Sequence, residues 1–189
     1  MTLPQASRLA AAAVAVVLAA LAVFWWRTRP AAEEPTRTET GVAAPVLSAS
    51  EAAFYFPASS GWLELEVREL PLDLDPADRK RWLAEQLLAG PESEGLRKPL
   101  AEAEVSGVFA APDGTVFLDL TIPESNGLGM GSTQELLAVY SVVNTLVLDD
   151  PSADRVVLLV NGRQRETLAG HLDTSGALRA RPDLIREPG

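Results

Sequence analysis

The chain has 189 residues, no cysteine and a single histidine, with a formal net charge of −10. The lack of cysteine excludes a disulfide framework, a lipid-modified N-terminal cysteine and thiolate metal sites, and one histidine argues against a histidine-rich metal site. All 26 acidic residues follow Pro30, where only 13 basic residues face them; such a surface repels nucleic acid and anionic lipid headgroups and suits basic partners.

Residues 1–8 form a short stub, read as cytoplasmic. Residues 9–26 are an uncharged apolar run ending in Trp25 and Trp26, with Arg27 and Arg29 just beyond. As a helix at ~1.5 Å per residue the run spans about 27 Å, close to the ~30 Å hydrocarbon core. The two tryptophans stand where an aromatic belt would lie. This predicts a signal anchor, a single membrane-spanning helix from Leu9 to Trp26. The rival is a cleaved signal peptide cut near Ala20-Leu21-Ala22, which would leave Val23-Phe24-Trp25-Trp26 as a greasy new terminus. Arg8 opposes Arg27 and Arg29, so the positive-inside bias does not settle orientation. Residues 27–50 are rich in Pro, Thr, Glu and Ala and poor in large apolar side chains; they read as a flexible linker with a random-coil reach of about 25 Å.

A folded domain is expected over residues 51–178. Ala53-Phe54-Tyr55-Phe56 and the alternating Trp62-Leu63-Glu64-Leu65-Glu66-Val67-Arg68 read as two strands. In the second, the period of two puts Leu63, Leu65 and Val67 inward and Glu64, Glu66 and Arg68 in water. Asp75 is the expected N-cap of a first helix, with Pro76 at its first position, Asp78 in its first turn, Trp82, Leu83 and Leu87 on its apolar face, and Arg79, Lys80 and Arg81 solvated; Gly90-Pro91 stops it. Residues 105–109 and 115–120 flank Pro112-Asp113-Gly114 and read as a hairpin. Ser132-Thr133-Gln134-Glu135 has the form of a capping box, opening a second helix whose stripe is Leu136, Tyr140, Val143 and Val147. Val156-Val157-Leu158-Leu159-Val160 is apolar without alternation, which reads as a central strand buried on both faces. Asn161-Gly162 is a hairpin turn into Arg163-Gln164-Arg165-Glu166. The order ββαββαββ predicts an α+β fold, a mostly antiparallel sheet with two helices packed on one face. Residues 179–189 read as a loose tail.

Few residues point to chemistry. Gly127-Leu128-Gly129-Met130-Gly131 lacks the P-loop lysine and the GxGxxG spacing, so no nucleotide or other cofactor is expected there. His171 stands two residues from Asp173 with no paired serine or cysteine nucleophile. Glu64, Glu66, Glu102, Glu104 and Asp119 are the carboxylates that a sugar hydrolase would have to pair; they read as solvent-facing. Asn144 sits on the apolar flank of its helix and must find partners if buried. No catalytic residue and no metal site is assigned.

Three short segments carry a resemblance. Leu87-Leu88-Ala89-Gly90-Pro91, the helix from Ser132 through Val143-Asn144-Thr145-Leu146, and Thr167-Leu168-Ala169-Gly170-His171-Leu172-Asp173 are, in that order, similar to the motifs of GerMN domains, the sporulation and spore-germination module. The resemblance covers residues 52–178 and implies a single copy. It implies a membrane-tethered domain outside the cytoplasm, in the periplasm or at the wall, without enzymatic activity or cofactor. Such a domain would be an interaction or scaffold module that binds a protein partner or itself. The chain departs from the lipid-anchored, two-copy form of that family. Within the resemblance Gly90, Pro91, Ser132, Asn144, Gly170, His171 and Asp173 are signature residues of a structural kind, Asn144 pinning a loop and His171 bonding a neighbouring one. The rival function is a sensor that binds peptidoglycan or another glycan without turnover.

Overall fold

A computed structural model of the chain describes residues 47–71, 74–123 and 129–186. The apolar run at residues 9–26 and the linker up to residue 46 lie outside the described residues. Among those described, no helix is long and apolar enough to cross a membrane.

Strands β1 (Glu51–Pro57) and β2 (Leu63–Glu69) pair antiparallel, Phe54 opposite Glu66 and Tyr55 opposite Leu65. The expected facing of β2 is inverted past Glu64: Glu66 and Arg68 are buried, whereas Leu65 and Val67 are exposed. The cause is long-range. Arg68 donates to Glu66 at 2.5 Å and lies over the Phe54 and Phe56 rings, 4.8 and 5.3 Å from their centroids. Its guanidinium also reaches the carbonyls of Gln86 and Gly90, at the end of the first helix. The Glu66 carboxylate takes the backbone N–H groups of Glu92 and Ser93. Burial raises the Glu66 carboxyl pKa, but these hydrogen bonds and Arg68 outweigh burial and hold it below the ordinary value.

Helix α1 (Pro76–Ala89) begins as its sequence requires: the Asp75 carboxylate accepts from the N–H groups of Ala77 and Asp78 at 2.9 Å. Gly90 ends it at φ 110°, a conformation that favours glycine. Of the three basic residues expected in water, Lys80 is buried against Asp150 and Arg79 is partly buried against Asp149. Arg81 alone keeps to a surface pair, with Glu85.

Strands β3 (Glu104–Ala110) and β4 (Thr115–Thr121) form the expected antiparallel hairpin, with a bulge between Val105 and Gly107. Helix α2 (Ser132–Leu148) then returns the chain so that β5 (Arg155–Val160) joins β4 in parallel, Leu118 opposite Leu158. The described strands therefore form two sheets, β1–β2 and β3–β4–β5, rather than one. Strand β5 is an edge strand buried alternately, not a central strand buried on both faces. The Asn161-Gly162 turn forms with both residues at positive φ, but Arg163 makes only an isolated bridge to Val160, so no strand follows. Residues 163–166 are exposed and carry no apolar alternation that would reward pairing. The order is ββαββαβ, closed by a 3₁₀ turn at Pro182–Leu184. The expected loose tail is docked: Ile185 is buried and bridges Leu63, and Arg186 donates to the Leu63 carbonyl.

Helix α2 is the hub. It packs against β1, α1 and β5, and from Leu137 to Leu146 every residue is buried, so it has no solvated face to show. Its polar residues work inward. Thr145 Oγ1 accepts from Tyr55 N–H at 3.1 Å, Ser141 Oγ donates to the Tyr55 carbonyl at 2.5 Å, and Asp149 Oδ1 accepts from Ala53 N–H at 3.1 Å. Residues four apart on a helix rise ~6 Å; residues two apart on a strand rise ~6.7 Å. The near match lets one row of α2 side chains take the place of a strand along the outer edge of β1.

Candidate functional site

The Gly170-His171 segment converges on Glu135. The expected capping box is displaced by one residue: Gly131 is the N-cap, and Gln134, not Glu135, reaches back to accept from its N–H. Ser132 is the first helical residue and exposed. Glu135 is thus freed to turn inward, where it is 0 % exposed. Its Oε1 accepts from the N–H groups of Leu168 and Ala169 at 3.0 and 2.7 Å, and its Oε2 from those of His171 and Leu172 at 2.8 and 3.3 Å. Gly170 sits at φ 99°, the left-handed turn that aims successive N–H groups at one point. Burial raises the Glu135 carboxyl pKa, yet the four N–H donors prevail and hold it below the ordinary value. This carboxylate is the centre of the segment, and sequence reading missed it. The available signal was an acid at the start of an otherwise apolar helix face.

The other signature residues are spread around the hub. The His171 ring is exposed, its Nε2 3.2 Å from the Met130 carbonyl. Asp173 accepts from the N–H and hydroxyl of Ser175. Asn144 is fully buried and pairs twice with the Arg181 backbone, accepting its N–H at 2.8 Å and donating to its carbonyl at 3.0 Å. Asn161 does the same to Ile122 across the β4–β5 end, at 3.2 and 3.0 Å. Gly90 lends its carbonyl to Arg68, and Pro91 follows it. Gly170, His171 and Glu135 come together, with Asp173 following directly in the chain; Gly90 and Asn144 serve other ties, to Arg68 and to Arg181.

Of the carboxylates weighed as an acid–base pair, three have partners of other kinds. Glu66 is tied to Arg68, correcting its solvent-facing reading, Glu64 meets Ser60 and Arg186, and Asp119 accepts from Gly162 N–H. Among the described residues, no three His, Asp or Glu side chains cluster to hold a metal ion. A cleft of about 500 Å³ opens between the β1–β2 turn, the segment carrying Arg97 and Lys98, and the start of α2 at Met130 and Gln134. Of the glycine-rich loop beside it, residues 127 and 128 lie outside the described residues. Among the described residues, four large apolar side chains stand out on the surface: Phe109 is 63 % exposed, Trp62 46 %, Val67 43 % and Leu65 39 %.

Comparison with known proteins agrees with this architecture. No curated protein gives a significant match. Among solved structures, the first GerMN domain of the sporulation protein GerM from Bacillus subtilis superposes with a TM-score of 0.56 at 23 % identity, covering 70 % of this chain and 98 % of that one. The tandem GerMN domains of the same protein also match, with a TM-score of 0.56 at 24 % identity, covering 70 % of this chain and 46 % of that one, so this chain spans about half of the tandem pair. The model of the family "Germane: Sporulation and spore germination" matches residues 53–166. That span runs from β1 through the Asn161-Gly162 turn, and the chain belongs to this sporulation and spore-germination family, with a single GerMN-type domain of α+β fold.

Proposed function

We propose that the chain is a non-catalytic, membrane-anchored module whose folded domain lies outside the cytoplasm of a bacterial cell and joins a sporulation- or germination-type envelope assembly by touching a protein partner. The observation that carries this reading is where the surface spends its apolar side chains: Trp62, Leu65, Val67 and Phe109 face water. Meanwhile the buried ionisable groups Glu66, Arg68, Lys80 and Glu135 are all engaged in ties between elements. Family membership brings no known enzymatic activity, and the apolar run ahead of the linker supports the tether. The test is photo-crosslinking in intact cells from the full chain. A photoreactive residue at Leu65 or Phe109 gives a discrete protein adduct, while one at the exposed Glu85 gives none. Uniform labelling from all three positions, or a reporter fused behind Gly189 that is found inside the cell, defeats the reading.

The cleft beside Arg97 and Lys98 favours a second reading, binding of a wall glycan or peptide fragment without turnover. Its size is within the usual range for a ligand pocket, and among the described residues neither cation has an ion-pair partner. Saturable binding of purified wall fragments that Arg97→Ala abolishes would establish it.

A further inference from the structure

A sheet edge is a row of unmade backbone hydrogen bonds, and folded proteins normally block it. Of the four edges among the described residues, three are blocked. The β1 edge is closed by Ser141 and Thr145 of α2 and by Asp149, its C-cap. The β5 edge is bridged at both ends, by Leu178 and by Arg163. The β3 edge is interrupted by its bulge, and α1 lies against the same strand. On β2, Ile185 bridges Leu63 in parallel and Arg186 donates to the Leu63 carbonyl, and among the described residues nothing on the outer side bonds the backbones of Leu65 and Val67.

The open stretch has a defined direction. Because Ala53 and Tyr55 turn their N–H groups toward α2, the alternation of an antiparallel pair makes β1 bond β2 through Phe54 and Phe56. Their partners Glu66 and Glu64 therefore face β1, and the backbones of Leu65 and Val67 point off the edge. The same two residues expose apolar side chains on one face. At the far end Glu51 stands directly opposite Glu69, a like-charge pair that an antiparallel register disfavours.

We propose that the Leu65–Val67 edge of β2 accepts an extended segment of the partner protein as an added strand, with apolar residues at alternate positions and a basic residue meeting Glu51 and Glu69. This deepens the interaction role and rests on it. A second copy is the poorer occupant: the folded part is strongly acidic, and so short a free edge falls well below the ~800 Å² per partner of a stable dimer. A single strand needs only the backbone bonds and the alternate side-chain contacts.

The test uses the full chain in detergent and a synthetic nine-residue peptide of alternating valine and threonine with lysine at both ends, followed by fluorescence anisotropy. Saturable binding is expected. N-methylation of alternate amides, which keeps the side chains and removes the donors, weakens it at least tenfold; acidic ends in place of lysine weaken it several-fold, less so in high salt. Val67→Pro removes an outward N–H and gives the same tenfold loss. Leu65→Lys, which leaves the backbone intact, covers the case in which the proline variant fails to fold. The proposal is overturned by absence of saturable binding, by equal binding of the methylated peptide, or by a concentration-dependent dimer that Leu65→Lys dissolves, which would give the edge to a second copy. If crosslinks form in cells from Phe109 while the peptide fails, the edge is wrong and the interaction role survives.

Discussion

Replacing Glu135 by glutamine keeps its size and removes its charge. The four N–H groups of residues 168–172 then face one amide oxygen and one amide nitrogen, itself a donor. A hydrogen bond to a charged acceptor contributes ~1.5–3 kcal/mol, and stranding a buried donor costs ~1–3 kcal/mol. Because the four bonds share one carboxylate their effects do not add, and the loss expected for Glu135→Gln is about 3 kcal/mol, against a total stability of ~5–15 kcal/mol. For a domain of this size that lowers Tm by roughly 10 °C. The pH dependence gives an independent reading. The folded carboxyl titrates below its ordinary value of 4.5, so its contribution is complete above that value and disappears as pH falls through the lower folded pKa. In that interval the unfolded chain binds the extra proton, so stability falls with acidification. The glutamine variant lacks this contribution and its Tm declines less steeply below pH 4.5. Melting followed by circular dichroism from pH 7 to pH 3 measures both effects. A variant that melts within about 2 °C of the parent at pH 7, with the same slope in acid, would show that the carboxylate does not hold the loop.

Two further perturbations follow from the buried polar ties. Ser141→Ala with Thr145→Val leaves the Tyr55 backbone unpaired on its α2 side and costs about 2–4 kcal/mol; native-state hydrogen exchange should show the Tyr55 amide exchanging faster than amides of β4, and unchanged protection would refute the helix-for-strand role. Arg68→Ala strands the buried Glu66 and costs about 3–5 kcal/mol, whereas Glu66→Gln with Arg68→Met restores much of it; a denaturant titration of the three proteins in which the double variant is the least stable contradicts this account.

What could be read from sequence was local. Asp75, Pro76 and Gly90 delimit α1 because a cap and a stop act on the residues beside them, and Asn161-Gly162 turns because those two residues tolerate positive φ. The misreadings all involve distant partners. The period-two pattern of β2 is real, but which face it buries is decided by Gln86, Gly90, Glu92 and Ser93, some 18–27 residues away. Val157 and Leu159 are as apolar as Val156 and Leu158, so nothing in β5 itself announces that one face stays half open. Glu135 fits the capping pattern by spacing alone, and only the loop at residues 168–172 reveals its partner. Ser141 and Thr145 interrupt the apolar run of α2, and their use is plain only once β1 is placed against them.

The substitution of a helix row for a strand also bears on how the molecule comes apart. Two strands in isolation hold together only marginally in water. Here β1 is stitched on one side to β2 and on the other to α2, and α2 in turn lies on β5. The smaller sheet cannot melt without tearing hydroxyl bonds from the hub, and the larger cannot melt without uncovering the hub where it lies on β5, so the pair should unfold in a single transition, with the slowest-opening amides divided between β1 and β4 rather than confined to the larger sheet.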